Sequence, residues 1–246
     1  MEKLKHSKYD LIVGIGQNCL SAEILRELGL VDYTTPFDWV QIYGYATAIN
    51  ILKNKFQNFF RKEDLSFRCV DKNDNSSVFY NKRTKIVYVH DFGVNGHENF
   101  DVMYDKVNAK LQRRILRILN KLSNNKKICL IYIEYANLKK KNVKINNDMI
   151  LKDIEDLEKI YKNKFDIFYI KHNPKLKLDE YIPDNKICEM NNAILEGDGR
   201  EYLGNKAMVS NIISQRIGLN FRKKFKKTEI GRFLDRLFLV IKIQFM

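Results

Sequence analysis

The chain has 246 residues, of which 45% are hydrophobic and 12% aromatic, so it is too apolar to be disordered and long enough to enclose a sizeable core. Its 11 Gly and 3 Pro exclude collagenous and low-complexity classes, and 44 Lys and Arg against 30 Asp and Glu leave a net charge of +14, which permits an anionic partner without choosing one. Cys19, Cys69, Cys129 and Cys188 show no Cys-x-x-Cys spacing and are too few for a disulfide scaffold, which points to a reducing, cytoplasmic compartment and to no metal site.

The charged start, residues 1–8, lacks the apolar segment of a signal peptide, and no run approaches the roughly 18 uncharged apolar residues that cross a bilayer. Residues 10–16 are short, β-branched and closed by Gly, which predicts a buried strand. Leu20, Ile24, Leu25 and Leu28 then share a helical face. Residues 61–84 are polar and read as an excursion or small hairpin at one edge. Apolar strand-like runs return at 85–90, 127–133 and 165–170, and more weakly at 186–190. Between them, Val107, Leu111, Ile115, Ile118 and Leu122 mark one amphipathic helix; Met149, Ile150, Ile154, Leu157 and Ile160 mark another, with Asp148 as its expected N-cap.

Strands apolar on both faces, alternating with amphipathic helices, predict a three-layer α/β/α domain with a mostly parallel sheet over residues 1–220. Residues 221–246 differ. A basic cluster at Arg222, Lys223, Lys224, Lys226 and Lys227 precedes a helical face of Ile230, Phe233, Leu234, Leu237, Phe238 and Ile241. This basic amphipathic C-terminal helix either closes the core, docks a partner or touches an anionic membrane from the cytoplasmic side.

In an open parallel sheet, ligands gather at the carboxyl ends of strands, where helix N-termini offer free amides. Cys19 falls at such a point, after Gly14-Ile15-Gly16-Gln17-Asn18, and a thiol at a helix start has its thiolate favoured. The two glycines would let a substrate approach, while Gln17 and the amides near Asn18 would stabilise an oxyanion. The rival reading is a small buried residue. A dinucleotide turn fits poorly, since Cys19 replaces the third glycine of the pattern. His90 ends the 85–89 run and would serve as base if that strand neighbours the first, with Asp91, Glu134 or Asn137 fixing its tautomer. His172 reads as a structural strand-end histidine. Pro36-Phe37-Asp38-Trp39 is either a packed loop or a pocket wall in which Asp38 orients His90 and Trp39 meets substrate.

Val13 to Cys19, Pro36 to Trp39 and Val89 to Phe92, taken in order, resemble the motifs of a bacterial family of unknown function described as papain-like cysteine peptidases. The resemblance spans roughly residues 9–175 and includes the basic helix at Arg113, Arg114 and Arg117. It implies Cys19 as nucleophile and His90 as base, in a hydrolase or acyl-transfer reaction through a thioester that needs no cofactor and takes a small-molecule, peptide or glycan substrate. The residues leave two alternatives open. One is a transferase of surface-polysaccharide assembly that binds a phosphorylated donor such as coenzyme A or a nucleotide sugar. The other is a basic binding module; no nucleic-acid-binding signature accompanies it.

Overall fold

The computed structural model describes residues 8–42, 44–72, 74–134, 144–192 and 205–218, so Asn137 and the 221–246 tail lie outside the described residues. In chain order the elements are β1 (Leu11–Gly14), α1 (Leu20–Glu27), β2 (Val40–Ile42), α2 (Tyr45–Lys53), β3 (Leu65–Val70), β4 (Ser77–Asn81) and β5 (Ile86–Tyr88). There follow α3 (Phe100–Asn124), β6 (Lys127–Ile133), α4 (Asn147–Tyr161), β7 (Lys164–His172), β8 (Tyr181–Ile182), β9 (Ile187–Met190) and α5 (Lys206–Ile217). The chain divides into two units, residues 9–210 and residues 1–8 with 211–246. The larger holds the two sheets and α1 to α4; the described part of the smaller includes the last turns of α5, where Gln215 Nε2 donates to Asn211 Oδ1 at 3.2 Å.

The α/β class with a mostly parallel sheet is borne out. Five strands run in the order β1-β6-β7-β9-β8, with β1, β6, β7 and β9 parallel and β8 antiparallel. The strand runs are continuously apolar because alternate side chains enter different layers. Leu11, Val13, Ile128, Leu130, Tyr132, Ile167 and Tyr169 join one large core with residues of α2, α3 and α4. The alternate residues, among them Ile12, Cys129 and Ile131, are buried outside that core. Helix α1, which contacts β1 and β6, buries Leu20, Ile24 and Leu25.

Residues 85–90 were expected in the parallel sheet, and here the structure differs. β5 lies in a second, four-stranded antiparallel sheet of order β2-β5-β4-β3, and the 61–84 excursion supplies its β3–β4 hairpin. A three-residue apolar strand is equally suited to either sheet, and only its partners decide. Asp148 also yields its expected role: the N-cap of α4 is Asn146, whose Oδ1 accepts the Met149 amide at 2.9 Å, and Asp148 sits in the first turn beside the positive end of the helix dipole.

Candidate functional site

Cys19 is the N-cap of α1, half-buried, just past the carboxyl end of β1. The backbone around it is tightly held. The Gln17 amide donates to the Ile133 carbonyl at 3.4 Å, and the Gln17 carbonyl accepts the Ile42 amide at 2.8 Å, which joins the two sheets at this point. Asn18 Oδ1 accepts the Leu20 amide at 3.0 Å, so that amide of the first turn is occupied. The glycines allow close packing. A Cβ on Gly14 would sit 2.9 Å from Ser21 Oγ, and one on Gly16 would sit 3.1 Å from the Ile133 amide nitrogen, so α1 and β6 fill the space that both leave.

Burial raises the Cys19 thiol above its ordinary range; its own amide, donating to the sulfur, opposes the rise, and the Glu23 carboxylate one turn along adds to it. The shift runs opposite to the lowering expected from a helix start alone. Desolvation is the largest contribution to the rise.

The hydrogen-bond partner of His90 is a residue other than Cys19. Ile86, at the start of β5, pairs with Ile42, the residue bonded to Gln17, and the strand then runs on toward Tyr88, opposite Val40. His90 follows the end of β5 by two residues, past the Val40 end of that pairing. Its Nδ1 is 3.0 Å from Asp74 Oδ2, and among the described residues no imidazole bonds the Cys19 sulfur. Asp74, in the loop between β3 and β4, is the partner that sequence reasoning missed; a histidine–carboxylate pair sixteen residues apart has no periodic signature.

None of the three candidate carboxylates orients His90. Asp38 is buried and accepts from Thr35 Oγ1 at 2.6 Å, from the Thr35 amide at 3.1 Å and from the Arg26 guanidinium. Asp91 pairs with Lys110 Nζ at 2.6 Å. Glu134, at the carboxyl end of β6, accepts the Tyr169 hydroxyl at 2.9 Å and the His172 amide at 3.2 Å. Trp39 is 36% exposed, adopts a left-handed φ of 67°, and carries the Arg26 guanidinium 5.3 Å from its ring centroid. Such a conformation in a bulky residue persists only where its neighbours enforce it, and Asp38 and Val40 on either side are buried. The loop is thus packed, with a cavity of about 10 Å³ between Gly14, Ala22, Arg26 and Asp38, room for one water.

The histidine that does share the carboxyl edge of the parallel sheet is His172, at the end of β7. Its Nδ1 accepts the Asn192 amide at 3.1 Å, which places the proton of the neutral ring on Nε2. Burial lowers its pKa, and the neighbouring Glu134 charge opposes that shift. Asn192 is fully buried: its Nδ2 donates to the Glu134 carbonyl at 2.8 Å and its Oδ1 accepts the Asn205 amide at 2.9 Å. Gln17, Glu134, His172 and Asn192 therefore follow β1, β6, β7 and β9 in spatial order along one edge. No group of three or more His, Cys, Asp or Glu among the described residues is arranged to hold a metal ion.

Residues 10–173 match the model of a family described as "putative papain-like cysteine peptidase". The chain belongs to that family. The match takes in β1 through β7, and so both Cys19 and His90. One relative, an uncharacterised protein of Acanthamoeba polyphaga mimivirus, is 26% identical over 182 residues, covering 68% of this chain and 79% of its own. That relative is viral, and these matches give the family no bacterial assignment. No solved structure matches this family member significantly. No helix among its described residues is long and apolar enough to cross a membrane.

Proposed function

We propose that the chain is a thiol-dependent hydrolase or acyltransferase in which Cys19 is the nucleophile. The observation that carries this reading is the placement of Cys19: a half-buried N-cap thiol just past a parallel strand, at the sheet edge where the following helix presents its amides. Family membership supports the same class. In the reaction the sulfur bonds the substrate carbonyl carbon, the amine or alcohol departs with the thiol proton, and water or a second acceptor then takes the acyl group from the thioester. His172 is suited to donate from Nε2 toward a developing oxyanion at the same edge, as a neutral imidazole does when its other nitrogen is occupied.

The test is acylation of the full-length protein by p-nitrophenyl acetate. The expected result is a burst of p-nitrophenolate with an acetyl group mapped to Cys19, lost in Cys19→Ala and retained in Cys69→Ser, where the exposed cysteine is removed. Acylation at Cys69 alone, or unchanged turnover in Cys19→Ala, overturns the reading. The transferase reading, with a phosphorylated donor, is favoured by a different observation, a guanidinium on α3 without a partner.

A further inference from the structure

Lys110, Arg114, Arg117 and Lys121 recur at spacings of four, three and four residues along α3 and so share one helical face. Three of them have partners. Lys110 pairs with Asp91, Arg117 Nη1 donates to the Thr34 carbonyl at 3.4 Å, and Lys121 Nζ lies 4.2 Å from the Tyr33 ring centroid. Arg114 stands between these anchors. Among the described residues it makes no hydrogen bond or ion pair, and its Nη1 is buried.

The same neighbourhood holds other buried polar atoms without partners: Arg26 Nη1, Asp91 Oδ2, and the hydroxyls of Tyr33 and Tyr88. Tyr88 is fully buried and the Asp91 side chain is 4% exposed. A buried donor left unmade costs about 1–3 kcal/mol, so such a concentration is unusual in a surface held only by its own chain. The charge balance has a direction too. Asp38 is taken by Arg26 and Asp91 by Lys110, which leaves Arg114, Arg117 and Lys121 without a carboxylate among the described residues. Burial, with Arg117 and Arg26 repelling, holds the Arg114 guanidinium below its usual range, although Asp91 and Asp38 offset part of this. The rim is open, since the Arg26 and Lys110 side chains and Trp39 are each roughly one-third exposed.

We propose that this face of α3, together with Arg26 and Trp39, binds a phosphoryl group, with Arg114 as its principal ligand. With three cations lacking a carboxylate, a phosphate-ester dianion offsets more of the charge than a carboxylate would. The guanidinium fork of Arg114 suits two parallel hydrogen bonds to phosphoryl oxygens, and a ligand hydroxyl would satisfy Asp91 Oδ2. Arg26 follows Cys19 by seven residues on α1, so the two share a helical face about 10 Å apart. The site does not depend on the thiol chemistry, and its test reads binding alone.

Trp39 is the only tryptophan in the chain and touches Arg26, so its fluorescence reports occupancy directly. The full-length protein is titrated with inorganic phosphate, pyrophosphate, glucose 1-phosphate and acetate at matched ionic strength. Saturable changes are expected with the three phosphoryl probes and not with acetate. Arg114→Gln should weaken binding about tenfold or more, while Arg113→Gln, at an exposed position off this face, should not. Arg114→Lys keeps the charge and loses the fork, and intermediate binding is expected in case the Gln variant fails to fold. Tighter binding of glucose 1-phosphate than of inorganic phosphate supports an esterified ligand, and equal binding supports free phosphate in the same site. No saturable change, an equal response to acetate, or equal affinities of the Arg114 and Arg113 variants overturns the proposal.

Discussion

The Nδ1 of His90 lies 3.0 Å from Oδ2 of Asp74, whose other oxygen accepts the Ser76 amide at 3.0 Å and the Ser76 hydroxyl. This pairing joins the imidazole, two residues past the end of β5, to a carboxylate in the loop between β3 and β4. Replacing His90 by Ala is therefore expected to leave the alkylation rate of Cys19 by iodoacetamide unchanged, followed by peptide mass spectrometry. A large fall would place His90 beside the thiol in solution.

Asp74 titrates at about 2 against an ordinary 3.8, held down first by the Ser76 hydroxyl, then by the Ser76 amide and by His90. A depressed carboxyl adds stability that is present above the unfolded value and lost as pH falls through the folded one. The difference in urea midpoint between the wild type and Asp74→Asn should thus be constant above pH 5 and shrink between about pH 4 and pH 2. It will be small, because the carboxylate is 44% exposed.

The Cys19 thiol, raised chiefly by burial, should be alkylated with an apparent pKa above the ordinary thiol value of about 8.5. Glu23→Gln removes the charge that adds to the rise and should move the midpoint down. An upward move would show that burial around the thiol, and not the Glu23 charge, changed.

Asp38 joins the Pro36 to Trp39 segment to α1 through Arg26 and to the preceding loop through Thr35. Asp38→Ala leaves the Arg26 charge without its carboxylate and should destabilise the fold by about 2–4 kcal/mol in urea denaturation, below the loss for a fully buried pair because the Arg26 side chain is 28% exposed. A change below about 0.5 kcal/mol, the usual range for surface positions, would contradict the packed-loop reading.

Gly14→Ala drives a methyl into Ser21, and a loss of about 1–3 kcal/mol is expected from the overpacking. Ser21→Ala in the same chain should restore part of it, measured as a double-mutant cycle. Simple additivity would mean that the strain lies elsewhere.

Periodic burial is legible in the chain itself. The run 127–133 coincides with β6, and the 107–122 pattern lies within the 25-residue α3, because an element buried on a defined face writes its period into the sequence. The position of Cys19 at the start of α1 followed from the same kind of signal. What the residues near it would do did not. Asp38, Asp91 and Glu134 were all plausible orienters, and each is claimed by a partner distant in sequence or in another element: Arg26, Lys110, and Tyr169 with the His172 amide.

The sequence by itself determined the α/β class, the strand–helix alternation and the helix start that carries Cys19. Only the tertiary structure decided that 85–90 pairs in a second sheet, that His90 belongs with Asp74, and that His172 shares the edge of the parallel sheet. The physical reason is range: hydrophobic period and capping are local, whereas sheet partner, ion pair and desolvation depend on which segments meet. The opening charge of +14 was likewise only a total. The fold turns part of it into a row on α3 in which one guanidinium has no partner among the described residues.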